Sequence, residues 1–184
     1  MPKVKQAHLD ARRQQIVDAA RTRFTDRGFA GTSMADVVAE AGLSIGAIYR
    51  YFSSKEELVA AVCEQGSDTF PETLTAEAIR DFLGDMRIRA QQNGHARLVS
   101  QIYAEAALSP ALADLVGRQL AELRGRVVEL LPAEDGDGPR AAGVAEAFVA
   151  ICVGYSQQLA IRGDVDSAPI AAALVATIGI DDRP

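Results

Sequence analysis

Tyr49, Arg50 and Tyr51 set a guanidinium between two phenols, with Ser44 five residues before the first and Lys55 four residues after the last. A guanidinium is a rigid fork of donors that matches the O6 and N7 acceptors of guanine, and a phenol reaches a phosphate or a base methyl. A lysine ammonium adds a point contact to phosphate. The chemistry open to this cluster is recognition of a polyanion with readable edges. No catalytic constellation competes with it. The two histidines, His8 and His95, and the two cysteines, Cys63 and Cys152, show no ligand spacing for a metal. There is no Gly-x-x-x-x-Gly-Lys phosphate loop, and Gly136-Asp137-Gly138 falls in an acidic turn without dinucleotide context. No serine or cysteine sits in a recognisable nucleophile setting. The expectation is a protein that is not an enzyme and needs no cofactor.

The cluster must be held by short helices. Ser33 can cap a helix whose apolar face is Met34, Val37, Val38 and Ala41, and Gly42 can end it, since glycine tolerates the left-handed conformation of such a stop. Leu43 supplies a buried anchor, and Ser44 can cap a second helix through Ile45 to Tyr51. Ile48 and Phe52, four apart, face inward and leave Tyr49 and Arg50 on another side. Ser53 with Glu56, and Ser54 with Glu57, fit capping boxes that open a third helix. Two short helices joined by a glycine-containing turn are the helix-turn-helix arrangement, whose second helix enters the DNA major groove. Spacing alone leaves open whether this is a DNA reader or an ordinary pair of helices in an all-α core.

Gly31-Thr32-Ser33, Ala35-Asp36-Val37-Val38, Ala41-Gly42-Leu43-Ser44 and Gly46-Ala47-Ile48-Tyr49-Arg50-Tyr51-Phe52-Ser53-Ser54-Lys55-Glu56-Glu57-Leu58 closely resemble the DNA-binding region of TetR-type (tetracycline-repressor-like) transcriptional regulators. The resemblance runs without a gap from Ile16 to Leu58; beyond it only the layout is similar. It implies an all-α protein, with an N-terminal three-helix helix-turn-helix domain joined to a larger helical ligand-binding and dimerisation domain. The DNA-contacting set it implies is Thr32, Ser33, Ser44, Ile45, Gly46, Ala47, Tyr49, Arg50, Tyr51 and Lys55. Thr32 and Ser33 would hold a phosphate at a helix N-terminus. Ile45 and Ala47 depart from the family pattern, which carries Lys and Thr or Ser there; as apolar groups they can meet thymine methyls.

Length and charge fit this division. The chain has 184 residues, enough for a sizeable core. Its net charge of −6 is uneven, with nine Lys or Arg against seven Asp or Glu in residues 1–60, and ten against eighteen in residues 61–184. A mildly basic head on an acidic body favours DNA contact through one face. Residues 1–10, with Lys3 and Lys5, read as a mobile basic arm, residues 11–54 as the DNA-binding domain and residues 55–184 as the effector-binding and dimerisation domain. Asp10, Arg12 and Arg13 follow the N-terminus where a signal peptide would be apolar. No uncharged apolar run of about 18 residues is present, so no membrane span is expected. Two unpaired cysteines suit a cytoplasmic location.

The body reads as helices broken by Gly and Pro: Thr75 to Gln92, His95 to Leu108, Ala111 to Leu131, Pro139 to Arg162 and Ala168 to Ile178. Pro139–Arg162 is apolar on most sides and needs burial on more than one. A homodimer through helices 139–162 and 168–178 meets that need, and two-fold DNA sites are matched by two-fold dimers. The resemblance implies a small-molecule effector held in the body, with Phe82, Met86, Tyr103, Phe148, Cys152 and Tyr155 as candidate lining; each could equally pack the core. Arg89, Arg97 and Glu105 are the charged residues at inward positions, so the expected effector is mainly apolar. The expected function is a homodimeric repressor on a palindromic, inverted-repeat operator in double-stranded DNA, released by that effector. The alternative is a helical dimeric ligand- or protein-binding module with a weakened DNA-binding head.

Overall fold

The computed structural model describes residues 2–64, 70–132 and 138–179. These residues form helices and turns, with no strand among them. The order is α1 (Pro2–Arg27), α2 (Met34–Ala41), α3 (Ile45–Tyr49), α4 (Lys55–Glu64), α5 (Ala76–Asn93), α6 (His95–Ala106), α7 (Pro110–Leu130), α8 (Pro139–Arg162) and α9 (Ala168–Ile178).

Residues 2–10, expected as an arm, are instead the first turns of α1. Nothing after Pro2 breaks the helix, and proline is accommodated at a first helical position because its missing N–H has no partner to lose there. Gln6 donates from Nε2 to Asp10 Oδ1 at 2.8 Å, one turn on. Farther along, Ile16, Val17, Ala20 and Phe24 form a fully buried stripe against α2, α4 and α6. Burying a phenylalanine of this kind is worth about 1.5–3 kcal/mol relative to exposure. Gln15 of α1 also donates to the Ala41 carbonyl at 2.9 Å, which satisfies the open end of α2.

The boundary expected after residue 54 does not coincide with a break in packing. Leu58, Val59, Ala61 and Val62 of α4 sit in the same core as α1 to α3, together with Leu98 and Ile102 of α6 and Leu112, Leu115 and Val116 of α7. At the start of α4 the two capping boxes are replaced by one shared arrangement. Ser54 Oγ accepts from the Glu57 N–H, while the Glu57 carboxylate accepts from the Ser53 N–H at 2.6 Å.

A second core lies in the far half of the molecule, between α5, α7, α8 and α9. Phe70, Phe82 and Phe148 meet there with ring centroids 5.6–6.2 Å apart. Arg87 and Gln91 of α5 both donate to the Asp164 carboxylate, fixing the turn between α8 and α9. Helix α8 is long and apolar enough to cross a membrane by length and composition, although it lacks the wholly uncharged run looked for in the sequence. Its Phe148, Tyr155 and Leu159 are buried among neighbouring helices, and only a third of its most apolar stretch is covered within the chain.

Candidate nucleic-acid interface and helical cavity

The turn between α2 and α3 is built by the residues that the sequence marks. Gly42 has φ of 63°, and its N–H and that of Leu43 bond back to the Ala39 and Val38 carbonyls. The chain then leaves α2 sharply, and Ser44 restarts it by accepting from the Ala47 N–H at 3.2 Å. Helix α3 is one and a half turns long. Ile48 is fully buried and Phe52, just beyond, is 4% exposed, with the Arg13 guanidinium 5.3 Å from its ring. With that side anchored, Ser44, Ile45, Gly46, Tyr49 and Arg50 face outward, Ala47 and Tyr51 are half-buried, and Ile45 is 57% exposed.

Three of the expected DNA contacts are committed elsewhere. Thr32 is 1% exposed; its hydroxyl is within donating distance of the Arg23 and Gly28 carbonyls, at 3.0 and 2.8 Å, and closes the end of α1. Ser33 is locked in a reciprocal capping box, with its hydroxyl and N–H both against the Asp36 carboxylate. Those hydrogen bonds hold Asp36 below the usual carboxylate range, first through the Ser33 hydroxyl and then its N–H. An incoming phosphate would meet that negative charge rather than an open helix end. Lys55 is turned inward: Nζ donates to the Phe29 carbonyl at 2.8 Å and the Thr32 carbonyl at 3.0 Å, and lies 3.9 Å from the Phe29 ring centroid. What remains outward is the α3 surface itself.

The body contains a cavity of about 220 Å³. Of the expected lining residues, Phe82, Met86, Tyr103, Phe148 and Cys152 border it. Tyr155 does not. It points to the other side of α8, where its hydroxyl donates to the Val165 carbonyl at 3.0 Å in a buried setting. Burial pushes both the Tyr103 hydroxyl and the Cys152 thiol up to about 12, which marks a poorly solvated interior. Arg89 borders the cavity, Glu105 does not, and Arg97 lines a separate polar cleft between α1 and the body. His95, Arg126 and Ser156 are cavity residues that the sequence did not single out. Burial, aided by Arg89 and Arg21, drives the His95 imidazole down to about 4. Only the helix break beside His95 hinted at its position.

Comparison with known proteins follows the same division. Residues 16–62 match the model of bacterial regulatory proteins of the tetR family. Over 67 residues the chain is 48% identical to YfiR, an uncharacterised HTH-type transcriptional regulator of Bacillus subtilis, covering 36% of this chain and 33% of that protein. Over 86 residues it is 31% identical to the HTH-type transcriptional repressor AcnR of Corynebacterium diphtheriae, covering 47% of this chain and 45% of that one. The chain thus matches less than half the length of either. In three dimensions it is similar to Salmonella enterica GusR, with a TM-score of 0.71 at 22% identity over 92% of this chain and 96% of that one. A TetR transcription regulator from Haloarcula marismortui gives 0.69 at 17% identity, over 92% and 97%. At these identities the structures establish a shared fold. Through residues 16–62, the chain belongs to the tetR family of bacterial regulatory proteins.

Proposed function

We propose that the protein is a homodimeric transcriptional repressor that reads an inverted repeat through α3 and is released from it by a small effector held in the body. The observation that carries the first part is the outward face of α3, where Ser44, Tyr49 and Arg50 stand beside exposed Ile45 over a buried Ile48. Arg50 supplies bidentate donors to guanine, Ser44 and Tyr49 contact phosphates or base edges, Ile45 and Ala47 meet thymine methyls, and Gly46 lets the backbone approach. Tyr51, half-buried, reaches the backbone of the duplex. Thr32, Ser33 and Lys55 support this surface from behind.

Dimerisation is supported by the uncovered faces of α8 and α9. Gly143, Ala150 and Gly154 on one and Ala172, Ala173 and Ala176 on the other are exposed, small and uncharged, which lets helices of a second copy approach closely. A two-fold dimer would set two α3 helices into successive major grooves, and its site of action is the cytoplasm. The cavity among Phe82, Met86 and Phe148 supports the effector reading.

Selection of bound duplexes from a random pool, at two salt concentrations, tests the proposal. An inverted repeat with half-site centres about one helical turn or a small multiple apart is the expected product. Arg50→Ala should weaken that complex by ~1–3 kcal/mol and relax one base pair per half-site. Binding that selects nothing and vanishes as salt rises would favour the second reading, a ligand- or protein-binding module with a weakened head. The apolar, 57% exposed Ile45 is the observation on its side.

A further inference from the structure

The apolar cavity and the polar cleft meet at shared walls, Ala96 and Leu159. Three basic side chains from three helices gather at this seam. Arg89 of α5 and His95 of α6 border the cavity, and Arg21 of α1 borders the cleft, close enough to His95 to disfavour its protonation. Burial also disfavours the charged form of the Arg89 guanidinium, and Asp85, exposed one turn away, is the acidic group that offsets this. At the mouth, exposed Glu122 and half-buried Arg126 stand one turn apart on α7, with the Arg126 guanidinium 4.2 Å from the Phe70 ring centroid. Asp26 and Arg97 oppose each other in sign on the cleft wall. The charges away from the seam therefore balance, and the seam is positive. The rest of the cavity wall is aromatic and aliphatic.

We infer that the cavity takes a small amphipathic monoanion, an aryl or short alkyl carboxylate, with its ring or chain among Phe70, Phe82 and Phe148 and its carboxylate on Arg89 and His95. This rests on the reading of the cavity as the effector site and specifies its ligand. At roughly 30 Å³ per heavy atom, the share of a water molecule in the liquid, 220 Å³ holds about seven atoms, near the size of one substituted ring. A guanidinium–carboxylate pair is bidentate and charge-assisted, and it strengthens in a poorly solvated setting. A neutral ligand of the same shape leaves the guanidinium desolvated, and a cation is repelled by it. A neutral imidazole can still donate one N–H to the carboxylate. Because Arg21 belongs to α1, an anion at the seam also attracts the helix that carries the DNA-reading head. Ligand charge is thereby felt by the head directly.

Calorimetric titration of the full chain with phenylacetate, phenylacetamide and 2-phenylethylammonium compares three charges on one shape. The expected order is phenylacetate at least tenfold tighter than the amide, with no heat from the ammonium compound. Arg89→Gln should bring acid and amide to equal affinity, while Arg89→Lys, which keeps the charge, preserves the order. If Arg89→Gln fails to fold, Arg89→Lys and the order in the unaltered protein still decide the matter. Equal affinity for acid and amide in the unaltered protein would overturn the anionic assignment and leave the cavity as a ligand site. No binding of any of the three at millimolar concentration would overturn both the ligand class and the effector reading. The duplex selection above would stand apart from either result.

Discussion

Replacing Lys55 with methionine separates a phosphate contact from an internal brace. In the structure the ammonium bonds the Phe29 and Thr32 carbonyls and lies over the Phe29 ring, so it ties the 28–33 turn to the start of α4. The Phe29 carbonyl also accepts from the Thr32 N–H, at 3.2 Å, so the variant costs mainly the Thr32 carbonyl its partner. A hydrogen bond to a charged group contributes about 1.5–3 kcal/mol, and a cation over a ring at a partly exposed site about 0.5–1. Lys55 is half-buried and the Phe29 carbonyl keeps one bond, so the low end applies, ~2 kcal/mol in all. Methionine keeps the apolar stem. In a chain of this size that loss lowers the melting temperature by about 4–8 °C. The assay is thermal and denaturant unfolding, paired with the salt dependence of operator binding measured well below the new midpoint. A lost phosphate contact would reduce the slope of log K against log salt by about 0.9. An inward brace leaves the slope unchanged. Unaltered stability together with a reduced slope would refute the assignment of Lys55 to the interior.

Further predictions concern the body and its junction with the head. Tyr155→Phe removes the donor to the buried Val165 carbonyl and should cost about 1–2 kcal/mol in denaturant unfolding without changing the affinity of a cavity ligand. Gly94→Ala would place a Cβ 2.8 Å from Thr25 Cγ2 at a φ of 65°, and should cost about 2 kcal/mol, read as a lowered denaturation midpoint. For His95 the sign is acid-labile. Its folded value near 4 lies below the usual 6.5, so between these values the unfolded chain binds more protons, and stability falls as pH drops from 7 towards 4. The loss reaches ~3 kcal/mol at most. His95→Gln should flatten that part of a melting-temperature profile against pH, and an unchanged profile would remove His95 as its source.

What could be read in advance was governed by distance along the chain. The ends of α8 follow from Pro139 and Gly163, and the turn at Gly42 from one glycine between two apolar faces, since both depend on neighbours a few residues away. The roles of Thr32 and Lys55 depend on carbonyls brought near by folding: those of Arg23 and Gly28 for the first, and for the second those of Phe29 and Thr32, 26 and 23 residues back. Position before or after a cap says nothing of such partners. Periodicity likewise puts Phe148, Cys152 and Tyr155 on inward parts of α8 but does not say which neighbour each faces. One faces the aromatic cluster, one the cavity and one the turn before α9. The helical arm was missed for a simpler reason. Charged residues near a terminus read as solvated coil, although Lys, Gln and Ala are strong helix formers.

The core of the head is completed by Leu98, Ile102, Leu112, Leu115 and Val116, far along the chain and outside the matched residues 16–62. The reading head is therefore not a detachable cassette. A chimera that joins residues 1–64 of this chain to the body of another family member would inherit an open apolar wound unless the graft also carries these five positions. Among natural relatives, the same five sites should vary in step with α1 and α4 while the cavity around them changes freely.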